Sequence, residues 1–199
     1  MTDNGLFPAE HRALRELHAF ARQFAGHWSK LGRRLGGEPA EVLERGAAAG
    51  RELVAECSER TAAYGLHGFP AAQGIGGRAA GLRGIGDVML ERNQAMRSAL
   101  HDVQHLGTLL AYLAALADQR GDAELAAWHR EWEARLAEIE QAARAAAIAQ
   151  AADPDRAIEP ADQGGLGRAG HSIANGLGTL GEAVDGSAVG RAARRLAGR

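Results

Sequence analysis

Residues 7–37, FPAEHRALRELHAFARQFAGHWSKLGRRLGG, decide the fold. Proline at the second position suits the first turn of a helix, where its missing N–H costs nothing. From there Leu14, Leu17, Phe20, Ala21, Phe24, Trp28, Leu31 and Leu35 recur at three- and four-residue spacing, which places them on one stripe of a helix, and Gly36-Gly37 closes the run. Three further stretches share this period, and none shows the alternation of a half-buried strand. A second helix is expected from Glu38-Pro39 to Gly65, with Leu43, Ala47, Gly50, Val54, Cys57 and Tyr64 along its seam. A third runs from about Asp87 to Gln119 through Val88, Met89, Met96, Leu100, Val103, Leu106, Leu110 and Leu113. A fourth starts behind Asp122 as N-cap and turns Leu125, Trp128, Trp132, Leu136 and Ile139 inward, ending in an alanine tract before Asp153-Pro154. The expected fold is therefore all-α: an antiparallel four-helix bundle with a glycine-rich connection and an additional C-terminal amphipathic helix.

The 199 residues suffice to bury a core without disulfides or metals. Hydrophobic residues make up 46% but aromatic ones only 5%, so Ala, Leu, Ile and Val must fill that core and the helices must approach closely. Phe20, Phe24, Trp28, Trp128 and Trp132 are its large anchors. Gly46 and Gly50, four apart around three alanines, are read as packing positions that admit a neighbouring helix. Arg92 interrupts the apolar stripe of the third helix and is read as a snorkelling edge residue, a buried ion-pair partner being the alternative.

Three segments follow from these spacings: a bundle over 1–150, a linker rich in Asp, Pro and Gly over 151–165, and an amphipathic segment over 166–199. Glycines crowd the connection from Gly65 to Gly86, where helix propensity falls by about 1 kcal/mol at each relative to alanine, with a short helix expected around Arg78 to Leu82. In the last segment Ile173, Leu177, Leu180 and Val184 recur at four, three and four residues. A helix so interrupted by glycine needs a surface to fold against, whether its own bundle, another protein or a second copy of the chain. A membrane surface is a weaker alternative, favoured by Arg191, Arg194, Arg195 and Arg199 and opposed by Glu182 and Asp185.

A net charge of -2 and a pI near 6.4 give no clustered positive field for phosphates, so nucleic acid is not an expected partner. Lys30 is the only lysine among many arginines, alanines and glycines, the bias of a GC-rich bacterial genome. The single cysteine, Cys57, and the absence of a charged-then-apolar leader after Met1 set the expected compartment as the cytoplasm. The longest apolar run, Leu106 to Ala117, falls short of the ~20 residues that span a bilayer.

Few residues are arranged for chemistry. Paired Glu-x-x-His motifs of di-iron bundles and the His-Glu-x-x-His of zinc hydrolases do not occur. Gly74-Ile75-Gly76-Gly77 follows no strand, so the dinucleotide pattern around it lacks its structural context. Ser172 stands in no nucleophile elbow and is read as a cap of the last helix. His101 and His105, four apart in HDVQH, project from one side of the third helix, as two ligands of one metal must. The stretch HDVQHLGTLLAYLAAL, residues 101–116, resembles the last-helix motif of DinB-like bundles, with two histidines, a glycine two residues on and an apolar run. That resemblance implies a divalent metal, zinc or nickel, completed by a third histidine near the start of the second helix. This chain has none there, and Leu106 stands where a basic residue is common. His11, His18, His67 and His129 remain as candidate third ligands. The residues themselves favour a non-catalytic protein without a cofactor, acting through protein–protein interaction or self-association, with the metal-binding bundle as the alternative.

Overall fold

The computed structural model describes residues 5–66 and 90–164. Four long helices pack against one another: α1 (Pro8–Leu35), α2 (Gly37–Ala62), α3 (Arg92–Arg120) and α4 (Ala123–Ala149). A 3-10 turn over Gln150–Ala152 and a one-turn helix, α5 (Pro154–Ala157), follow. Among the described residues the only β-type pairing is one antiparallel bridge between Glu91 and Pro160. None of the described helices is long and apolar enough to cross a membrane.

The helix ends have local causes. Pro8 opens α1, and Glu10 reaches back to accept the N–H of Phe7 at 3.3 Å. Between α1 and α2 only Gly36 intervenes, and Gly36 and Gly37 both stand at φ 61°, a region open to glycine at little cost. Asp122 caps α4 by accepting the Leu125 N–H at 3.0 Å, as its position in the sequence predicts. The third helix begins later than its apolar spacing suggests. Glu91 is extended, at φ -66° and ψ 156°, because Leu90 and Arg92 exchange backbone hydrogen bonds with Ala161 and Glu159.

Contacts between side chains fix the directions of the helices. Trp28 lies on Gly46, Phe24 on Gly50, and His18 on Ser58, so α1 and α2 are antiparallel. Glu56 meets Trp128 and Trp132 while Arg60 meets Glu124, so α2 and α4 are antiparallel. Gln104 pairs with Glu140 and Asp118 with Arg130 across α3 and α4. Glu10 meets Arg120 and Leu35 meets Arg92 across α1 and α3. Every adjacent pair therefore runs antiparallel, while α2 and α3 point the same way. Leu66, tied to the end of α2 through Thr61, and Leu90, tied to Ala161, stand at opposite ends of the bundle.

One apolar cluster joins all four helices and holds Phe24, Trp28, Trp128 and Trp132 as its aromatic members. Phe20 is only partly buried and packs at its edge. The two-helix approach at Gly46 and Gly50 is close enough that α1's rings fill the space a Cβ would need. Residues 150–164 lie along one end of the bundle, with Ala161 fully buried. The expected helix near Arg78 to Leu82, the Gly74–Gly77 pattern, Val88, Met89, His67, Ser172 and the stripe of Ile173, Leu177, Leu180 and Val184 lie outside the described residues.

Candidate functional site

The histidine pair sits on the α3 face turned toward α1. His101 is exposed, while His105 is half-exposed, its Nε2 3.1 Å from Glu16 Oε1 and its ring 4.4 Å from that of Phe20. Both positions agree with the helical projection, which sets His105 at the border of the apolar face and His101 nearer solvent. Two of the candidate third ligands, His18 and His129, are engaged or enclosed elsewhere. His18 points to Ser58 Oγ at 3.0 Å, burial followed by Arg22 holding its pKa below the usual imidazole value, and His129 is enclosed in α4. Among the described residues no three His, Cys, Asp or Glu side chains converge as a metal ion needs.

The polar groups that do meet form ties between helices. Asp102, one residue past His101 and turned inward, sits 2.6 Å from His27 Nδ1 on α1. At the end of the bundle holding the α1 N-terminus, Glu10 is fully buried and receives Arg120 through Nε and Nη2 at 3.0–3.3 Å. Arg120 also reaches Asp122 at 3.1 Å, and Tyr64 donates its hydroxyl to the same carboxylate at 2.7 Å. Glu10 holds the Arg120 pKa above the ordinary guanidinium range, and burial followed by Asp122 raises that of Tyr64. Such charge-assisted, two-pronged pairs are the strong ones among hydrogen bonds.

In the last third of α2, the Glu56 carboxylate accepts both indole N–H groups of α4, from Trp128 at 2.7 Å and Trp132 at 2.9 Å. Arg60 and Arg135 lie over the outer faces of these rings. The next residue, Cys57, is buried, and its thiol, pushed up to about 12 by burial, stays protonated at neutral pH. Thr61 donates to the Cys57 carbonyl, which ties that turn internally. A thiol in that state is a small apolar filler, as its seam position suggests.

Sequence spacing missed the buried polar residues. Glu10 falls four residues before Leu14 on the stripe of α1, which is the signal that marks it as inward. Asp102 and His129 sit on the second apolar edge of helices that pack against two neighbours, beside Leu106 and Leu125. Arg92 does not snorkel, and among the described residues it pairs with no carboxylate. It is 5% exposed and donates to the Leu35 carbonyl, because residues 159–161 run alongside the first turn of α3 and close over it. No protein-family model, no curated protein and no solved structure matches this chain.

Proposed function

We propose that this chain is a non-catalytic helical-bundle protein that works by associating with another protein, foremost a second copy of itself, through Ile173, Leu177, Leu180 and Val184. One observation carries the reading: the buried carboxylates Glu10 and Asp102 and the half-buried Glu56 are engaged as braces. Glu10 with Arg120, His27 with Asp102, and Glu56 with Trp128 and Trp132 each join two helices. Their chemistry is spent on fixing the scaffold. The apolar stripe of the last segment supplies the adhesive sequence, since a helix of that kind gains its stability from the surface it covers. A lone thiol held protonated by burial fits a cytoplasmic setting, and the slight negative charge fits a protein partner better than nucleic acid.

Sedimentation equilibrium of the full chain, over a concentration series, tests this against the variant Ile173→Ser, Leu177→Ser, Leu180→Ser, Val184→Ser. The natural chain is expected to associate and the variant to be monomeric with an unchanged thermal midpoint. A natural chain that stays monomeric removes self-association, and binding to anionic vesicles that fades with salt would assign the stripe to a membrane surface instead. Elemental analysis of untagged protein separates the metal alternative. Stoichiometric zinc or nickel, lost in His101→Ala, His105→Ala, would replace the present reading with a metal-binding bundle.

A further inference from the structure

The small net charge of the chain is not shared evenly among its helices. Six cations on α1, Arg12, Arg15, Arg22, Lys30, Arg33 and Arg34, stand against Glu10 and Glu16, a surplus of four. On α3 three arginines stand against two aspartates, a surplus of one. By contrast α2 sets six glutamates against three arginines, and α4 five against three, so both are negative. Because α1 packs beside α3 and α2 beside α4, positive charge gathers on one side of the bundle and an equal negative charge on the other.

Rows set by the two-turn repeat of a helix carry these charges to the surface. Glu52 and Glu124 face the α2–α4 seam, where they pair with Arg135 and Arg60. Glu59 follows Glu52 by seven residues, Glu131 and Glu138 follow Glu124 by seven and fourteen, and all five carboxylates are exposed. Glu59, Glu131 and Glu138 make no ion pair among the described residues. On the opposite face Glu16 marks the α1–α3 seam by pairing with His105. Lys30 follows Glu16 by fourteen residues, Arg12 precedes it by four, and Arg97 precedes His101 by four. These three cations are exposed and make no ion pair among the described residues. Glu16 is the one exposed carboxylate on α1, since Glu10 is buried against Arg120.

We propose that a second copy of this chain docks its α1–α3 face on the α2–α4 face of the first. Charge complementarity selects the pairing. Like faces would set cations against cations or carboxylates against carboxylates, whereas unlike faces bring α1 over α2 and α3 over α4, positive over negative in both. A translation across the bundle achieves this, and every helix stays antiparallel to the one it meets, as within a single chain. The contact is heterologous, so copies stack face on face and do not close as a pair. A helix of 28 residues is about 42 Å long and two side by side about 20 Å wide, so each face offers roughly 800 Å², the size of a standard interface. This surface is separate from the C-terminal stripe, and the contact does not rest on it. At physiological salt, where charges are screened beyond about 8 Å, the contact orients copies already close together; near 10 mM salt, with screening at about 30 Å, it holds them unaided.

Sedimentation velocity of the full chain carrying Ile173→Ser, Leu177→Ser, Leu180→Ser and Val184→Ser isolates the faces from the stripe. At about 10 mM salt its sedimentation coefficient is expected to rise with concentration, and at about 0.5 M salt to return to the monomer value. In that background Glu59→Lys, Glu131→Lys, Glu138→Lys turns the α2–α4 face basic, and Arg12→Glu, Lys30→Glu, Arg97→Glu turns the α1–α3 face acidic. Each set alone should weaken low-salt association about tenfold or more, and an equal mixture of the two should associate again, because each then supplies the charge the other lacks. All six side chains are exposed, so the thermal midpoints should be retained. A serine variant that stays monomeric at low salt overturns the proposal, as does association that persists at high salt or a mixture of reversed sets that stays apart. Anionic vesicles that separate the copies at low salt would assign the basic face to a membrane surface instead.

Discussion

A Cβ built at Gly46 falls 2.2 Å from Cε3 of Trp28, a ring that is itself fully buried and has no room to retreat. Gly46→Ala is therefore expected to lose at least about 2 kcal/mol of stability, despite the ~1 kcal/mol that alanine gains over glycine in a helix. Gly26, exposed in the middle of α1 with nothing within 4 Å, makes the control: Gly26→Ala should stabilise by up to ~1 kcal/mol. Urea unfolding of both variants reads the contrast, and similar midpoints would refute the seating of Trp28 on Gly46. His129 makes a second residue-scale prediction. Its ring is fully buried, neither nitrogen has a hydrogen-bond partner, and burial pushes its pKa down to about 4. The unfolded chain takes up this proton near pH 6.5, before the folded one does. The contribution of neutral His129 is thus complete above pH 6.5 and declines as the pH falls toward 4, a loss of about 3 kcal/mol at about 1.4 kcal/mol per unit. His129→Leu should flatten the fall in stability between pH 7 and 4.5 relative to the natural chain; parallel curves would show that another group governs it.

At the scale of helices, the pair of Glu10 and Arg120 locks the start of α1 to the finish of α3, and Asp122 and Tyr64 extend the lock to α4 and α2. Removing Arg120 strands a carboxylate that is 0% exposed, so Arg120→Met should cost about 3–5 kcal/mol. Glu10→Leu combined with Arg120→Met should recover most of it, because neither charge is then buried alone. A double-mutant cycle by denaturant unfolding checks this, and additive losses would mean the two side chains do not act together. The helices themselves were open to reading from local signals: Pro8 and Gly36–Gly37 bound α1, Asp122 caps α4, and the apolar spacing picks the inner faces. What each inner face meets was not open to reading. Glu10 lies 110 residues from Arg120, and no periodicity connects them. Arg92 illustrates the same limit, since its burial depends on residues 159–161, which read as linker until their bridge to Glu91 is seen. The histidine pair was placed correctly on its helix, but the carboxylate beside His105 comes from α1.

For the molecule as a whole, the arrangement is two antiparallel hairpins, α1 with α2 and α3 with α4, laid side by side. The most extensive packing lies within each hairpin, and the α1–α3 and α2–α4 seams are thinner. Those seams are fastened by a few polar ties, Glu10 to Arg120, His27 to Asp102 and Glu56 to the two indoles. Each hairpin brings together residues close in sequence, which favours rapid local formation before the halves dock. The halves are accordingly expected to recognise each other without a covalent link. A protease site introduced within 67–89 and cut after folding should leave two fragments that elute together, and fragments expressed apart should reconstitute a helical complex on mixing. The chain would then serve as a split reporter, its reassembly tuned by charge reversal at Glu10 and Arg120.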